Sequence, residues 1–301
     1  MRACSFLPAS TQMIYELGLE NMLYGVTFEC PSDKPKIVRS KLEGRALSSA
    51  EIDGLVSEAA SRGDTLYYID EPLLDAAAPD VIFTQHVCDV CQIGTAFVER
   101  AAQKLPKQPR IVPLVPRRLA DVLETATTIA AEMGAPERAA TLLAKADARI
   151  DRVVDALRAA RARPARVTIM EWMDPVYNCG HWIPDQIALA GGSDALSAPA
   201  AYSVPIDWEK IRLYDPEVLV VAPCGFDVER GAQELGRLTE RPGFADLAAV
   251  RQGRVFLADA RLFTQPSVSQ LTSGIELLAH LFHPAIFAAR DEWKGRFARV
   301  T

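Results

Sequence analysis

The chain lacks most features that would assign it quickly. It has no long run of basic residues, and its formal net charge is −6, so the electrostatic footprint of a nucleic-acid binder is missing. No window approaches the roughly 18 consecutive apolar residues of a membrane span. Six cysteines in 301 residues are too few for a disulfide scaffold, which leaves metal, redox or inert-core roles for them. There is no G-x-S-x-G, no P-loop and no G-x-G-x-x-G followed by an acidic residue. These absences argue against an enzyme. No internal repeat or low-complexity linker is visible either. The start, "MRACSFLPASTQMIYELGL", has no continuous apolar h-region, which predicts a cytoplasmic protein as written and a periplasmic one if a leader once preceded it.

What is present is a core-forming composition, 49% hydrophobic and 24% charged, in a chain long enough for two domains. Short apolar runs alternate with amphipathic helical stretches, the pattern of an α/β fold with mostly parallel sheets. Strands are expected at "ACSFL", "YGVTF" (24–28), "DVIFTQ" (80–85) and "RIVPLV" (110–115), and later at "RVTIMEW" (166–172), "EVLVVAP" (217–223) and "RVFLAD" (254–259). Ser10 or Thr11 is the expected N-cap of the first helix, and Ser48 or Ser49 that of a helix over 48–63. From 118 to 161 the apolar positions keep a helical period, broken by Gly134 and Pro136. The second of these helices, of about 26 residues, spans roughly 39 Å. The chain is accordingly divided into an N-terminal lobe (1–117), a helical connector (118–163) and a C-terminal lobe (164–301), two lobes joined by one long rigid helix with limited opening and closing.

Ligands of open α/β sheets collect beyond the carboxyl ends of the strands. In the first lobe those ends carry Pro8, Ser10, Thr11, Glu29, Cys30 and Gln85, then "HVCDVC" with His86, Cys88 and Cys91. In the second they carry Glu171, Trp172, Cys179, His181, Trp182, Cys224, Phe226 and Gln265. The tryptophans read equally as core aromatics or as the wall of a site for a large flat ligand. Glu171 and Asp174 could serve as acid and base, though E-W-x-D-P more simply describes a strand ending in a turn. Cys4, inside a strand, reads as a small buried hydrophobe; His280 and His283 read as structural or solvated. Cys88 and Cys91, three apart, suit a redox pair or half of a thiolate metal site. With Cys30 and Cys224 they could hold zinc or an iron–sulfur cluster, His181 or Cys179 being a fifth candidate. A further reading makes one of the paired thiols a nucleophile with His181 as its base.

The stretches "SFLPASTQMIYELGLENMLYGVTFEC", "EWMDPVYNCGHWIP" and "DPEVLVVAPCGF", together with the long mid-chain helix, resemble the cobalamin-type substrate-binding proteins of ABC importers. The likeness is to a cysteine-containing subgroup without a signal peptide. This resemblance implies a two-lobed fold of the class joined by one rigid helix. It also implies a non-enzymatic binder that captures cobalamin, another corrinoid or a related metal chelate and hands it to an ABC permease. A metalloprotein on the same scaffold, holding zinc or an iron–sulfur cluster through Cys30, Cys88, Cys91 and Cys224, is the alternative.

Overall fold

The computed structural model describes residues 1–85 and 94–300. Its contacts divide the chain into two compact units, the first comprising residues 1–47, 51–116 and 120–143, the second residues 48–50, 117–119 and 144–301.

Six strands belong to the first unit: β1 (Ala3–Ser5), β2 (Leu23–Thr27), β3 (Lys36–Ser40), β4 (Tyr67–Ile69), β5 (Val81–Gln85) and β6 (Arg110–Leu114). Helices α1 (Pro8–Glu16), α2 (Ser49–Ser61), α3 (Glu71–Ala77), α4 (Thr95–Ala102), α5 (Leu119–Glu132) and α6 (Pro136–Ala159) alternate with and follow them. The strand order is β4-β3-β2-β1-β5-β6. All pairings are parallel except that of β4, which runs antiparallel on the edge. β1 is wholly buried at the centre of the sheet, as helix-covered parallel strands require. A Cβ on Gly25 would lie 2.0 Å from Ile37 Cδ1 and 3.1 Å from Cys4 Sγ, so β1, β2 and β3 interlock around a glycine. Cys4 is thus a packing thiol, and burial pushes its pKa to about 12.

Two strands here, β3 and β4, were not expected, so the predicted third and fourth strands are the fifth and sixth. The first helix also starts earlier than Ser10 or Thr11. Leu7 takes the extended N-cap conformation and Pro8 opens the helix, where its missing N–H costs nothing. α6 runs 24 residues, and the division between the units falls within it, between Leu143 and Ala144.

The second unit contains β7 (Ala165–Met170), β8 (Trp172–Met173), β9 (Val176–Tyr177), β10 (Gly192–Ser193), β11 (Val218–Val221), β12 (Val255–Ala258) and β13 (Phe297–Arg299). Its further helices are α7 (Ile183–Leu189), α8 (Trp208–Tyr214), α9 (Val228–Ala232), α10 (Gly236–Thr239), α11 (Ala248–Arg251) and α12 (Val268–Phe282). The sheet order is β10-β7-β11-β12-β13, parallel but for β13. β7 and β11 place Val167, Ile169, Val218 and Val220 in one core beneath α7 and α12, and Met170, Leu219 and Val221 in a second on the opposite face. α12 begins with a reciprocal capping box, Gln270 N–H to Ser267 and Ser267 N–H to Gln270. His280 and His283 bond the carbonyls of Phe287 and Gly191, both at 2.8 Å, in keeping with a structural role.

Candidate functional site

In the first unit, the carboxyl end of β1 turns into α1 through a closed network of small polar groups. Ser5 Oγ and Ser10 Oγ are 2.6 Å apart, Thr11 Oγ1 donates to Ser5 Oγ at 2.8 Å, and Cys30 Sγ donates to Thr11 Oγ1 at 3.1 Å. Ser5, Ser10, Thr11 and Cys30 are all buried. Buried hydroxyls need such partners, and these find them in one another. Ser10 and Thr11 therefore brace the β1–α1 turn, and the thiol of Cys30, pushed to about 11 chiefly by burial, stays protonated. Pro8 and Gln85 are half-buried, Gln85 accepting a hydrogen bond from Thr95 through its carbonyl at 3.2 Å. Glu29 is exposed as a residue, while burial of its carboxyl end raises its pKa to about 7.

His86, Cys88 and Cys91 lie outside the described residues. Among the described residues no three His, Cys, Asp or Glu side chains gather as a cation site. Cys224 is half-buried. Cys179, a further thiol considered above, sits in the hydrophobic core with its pKa raised well above the usual thiol range by burial. A group that must lose a proton to bind metal is poorly placed there, so Cys179 is a packing residue.

The strand ends of the second unit are built differently. β7 ends at Met170, Glu171 follows it, and Trp172 then enters the short β8–β9 hairpin, whose turn is Asp174-Pro175. The carbonyl of Glu171 accepts from Cys224 N–H at 3.0 Å, tying the end of β7 to the segment after β11. This brings the rings of Trp172 and Phe226 to 5.3 Å at 57°. Phe226 carries the Arg230 guanidinium on its other contact, 4.5 Å from the ring centre. Asp174 pairs with Arg237 at 2.8 Å, which makes it a surface ion pair and not an acid–base partner of Glu171.

The segment Asn178-Cys179-Gly180-His181-Trp182 is held by its neighbours one residue at a time. Asn178 donates to Leu196 O and accepts from Val204 N–H, both at 2.8 Å. Gly180 passes so close to the 201–203 backbone that a Cβ would meet Ser203 N at 2.5 Å. His181 adopts φ +51°, and its amide and carbonyl bond Ala201 O (2.6 Å) and Ala200 N (2.9 Å). Two aromatic side chains flank its ring, Trp182 at 5.7 Å and Tyr202 at 5.3 Å edge-on. Burial and then the Arg117 charge hold the His181 pKa below its usual value, so the imidazole is neutral at neutral pH. Its Nε2 has no partner among the described residues. Trp182 Nε1 donates to Phe263 O at 2.6 Å, fixing it over the turn after β12; Gln265, two residues on, is half-buried.

Glu171 lies under this segment. One carboxylate oxygen accepts from Gly180 N–H at 3.0 Å, the other from Ser203 Oγ at 2.7 Å. Burial outweighs those two bonds and raises its pKa to about 7. The carboxylate is spoken for; its role is to position the 178–182 and 201–204 backbones. Trp172 with Phe226, and His181 with Trp182 and the half-exposed Tyr202 (50%), form two aromatic groups on segments that follow strand ends. Together they offer flat apolar area and one neutral imidazole. Tyr202, Ser203 and Arg117 were not anticipated from sequence. They come from loops whose Ala/Pro-rich or charged composition carries no motif.

The fold agrees with the comparisons to known proteins. Residues 73–262 match the periplasmic binding protein family, and the chain belongs to it. No curated protein matches it in sequence. Among solved structures it is similar to a periplasmic heme-binding protein from Pseudomonas aeruginosa, with 18% identity, 95% of this chain and 93% of that one covered, and a TM-score of 0.68. It is also similar to the periplasmic vitamin B12 binding protein of Vibrio cholerae, with 15% identity, 94% and 97% covered, and a TM-score of 0.66. An ABC-type Fe3+-hydroxamate transport protein from Saccharomonospora viridis gives 16% identity, 93% and 92% covered, and a TM-score of 0.67.

Proposed function

We propose that this chain is a non-enzymatic binding protein for cobalamin or a related corrinoid, carried as cargo to an ABC permease on the outer side of the membrane. The observation that supports this most is the pair of aromatic groups on segments after strand ends of the second unit, Trp172 against Phe226 and His181 between Trp182 and Tyr202. Flat macrocycles are held by apolar walls with few polar groups, and the likeness to heme-, vitamin B12- and Fe3+-hydroxamate-related proteins agrees with a chelate of that size. Among the described residues no helix is long and apolar enough to cross a membrane, so a permease would supply the passage.

The alternative, a zinc or iron–sulfur protein using Cys30, Cys88, Cys91 and Cys224, gains no support from the described residues. Cys30 is protonated and bonded to Thr11. Titrating the purified protein with cyanocobalamin, hemin and a ferric hydroxamate, followed by tryptophan fluorescence and absorbance, separates the cargo classes. Saturable quenching by cyanocobalamin at micromolar concentration is expected. Quenching by hemin or the hydroxamate alone would overturn the corrinoid assignment while keeping the chelate class.

A further inference from the structure

A cavity lies in the second unit, at the end of the sheet away from these aromatic side chains. Its volume is about 410 Å³. The register places it: β12 begins just after Arg254, and its antiparallel partner sets Arg299 opposite Phe256, whereas those side chains follow the carboxyl ends of the strands. The walls are aromatic. Phe256 and Phe297 meet at 6.3 Å, and His280, from the last turns of α12, contacts Phe297 edge-on at 6.0 Å.

Two guanidiniums line the same cavity. Arg254 Nη2 donates to Leu281 O and Phe282 O, both at 2.9 Å, closing the end of α12. Its remaining N–H groups have no partner among the described residues. Arg299, exposed, lies 5.7 Å from the Phe256 ring centre and has no ion pair among the described residues. Among the described residues no acidic side chain lines the cavity; Gln252 and His280 supply its other polar groups. Burial holds Arg254 below the usual arginine range, with Glu217 opposing that shift and Arg299 adding to it. Glu217 itself is taken up by Arg163 at 3.0 Å and the Arg166 amide at 3.2 Å. Two cations sharing an aromatic cavity that no described acidic side chain lines form an electrostatically incomplete site.

We propose that this cavity binds a small aromatic anion, its charged group between Arg254 and Arg299 and its ring against Phe256 and Phe297. Guanidiniums suit planar carboxylates, which they grip with paired N–H donors. The size is adequate, since a cavity of about 150 Å³ already admits a benzene ring. A carboxylate on an aromatic body is the occupant that uses both the charge and the walls.

The test uses fluorine NMR of the full chain with 4-fluorobenzoate, compared with 4-fluorobenzyl alcohol and with competition by inorganic phosphate. Binding of 4-fluorobenzoate is expected to exceed that of the alcohol roughly tenfold, with Arg299→Glu abolishing the difference. Phosphate should compete at least tenfold more weakly than unlabelled benzoate. Arg299 is exposed, so its replacement should leave the melting temperature unchanged, and cobalamin titration of that variant should match the parent. Equal binding of the neutral alcohol, indifference to Arg299→Glu, or phosphate competing as well as benzoate would each overturn the proposal.

Discussion

The two units solve the same problem of ending a parallel sheet in opposite ways. In the first, the described turn after β1 closes on itself: Ser5, Ser10, Thr11 and Cys30 satisfy one another and leave little for a ligand. In the second, polar bonding is pushed underneath, to Glu171, Asn178 and the Trp182 indole, and the aromatic rings are left at the strand ends. The difference teaches where binding free energy should reside. Hydroxyl networks set a turn's shape, while apolar ring area is what a flat ligand can exploit, at roughly 25 cal/mol per Å² removed from water.

The comparison can be broken most sharply at Gly180. A methyl there would press on the Ser203 amide and the Ala201 carbonyl, so Gly180→Ala should lower stability by about 2–3 kcal/mol, as backbone overpacking does. Chemical denaturation measures it, and a loss below about 0.5 kcal/mol would show that the 200–204 loop yields freely.

Glu171 gives the next largest effect, and its sign is fixed by linkage. Its folded pKa, raised to about 7 from 4.5, means the folded state holds its proton more tightly than the unfolded state. Its contribution to stability is therefore full below about pH 4.5 and lost as pH rises through about 7, by about 1–3 kcal/mol in total. Ser203 Oγ can turn from donor to acceptor as the carboxylate takes a proton. Glu171→Gln should flatten that part of the pH–stability curve, measured by urea denaturation from pH 4 to 8. Superimposable slopes in parent and variant would contradict the buried-carboxylate account.

The smallest effect belongs to the first unit. Ser10→Ala or Thr11→Val should cost about 1 kcal/mol of stability for a lost buried hydrogen bond while shifting ligand affinity less than about twofold. A larger affinity loss would mean that these hydroxyls touch ligand after all.

Much of this architecture was legible beforehand. The apolar runs at 81–83, 218–221 and 255–258 are uninterrupted, so burial in a parallel sheet was the economical reading. β3 escaped notice because Ile37 and Val38 stand between Lys36 and Arg39, and β4 because an antiparallel edge strand of three residues has almost no periodicity. The helix start was misplaced for a physical reason. Ser10 and Thr11 have capping chemistry, but Pro8 sets the first turn and their hydroxyls are drawn inward to Ser5 and Cys30. At the site, Glu171, Trp172, His181, Trp182 and Phe226 were read from their position after strands, and the structure brings these five into one unit. Their working relations were not readable, because Asn178, Cys179 and Gly180 are held largely by the distant 194–204 loop.

The account's central claim is that the aromatic strand ends of the second unit carry the binding. Calorimetric titration of cyanocobalamin into the parent, Trp172→Ala and Ser10→Ala tests it most directly. Removing half of the Trp172–Phe226 pair should weaken binding roughly 10- to 100-fold, the equivalent of about 1.4–2.8 kcal/mol, with Ser10→Ala close to the parent. Equal affinity in the parent and Trp172→Ala, or a larger loss in Ser10→Ala than in Trp172→Ala, would contradict it.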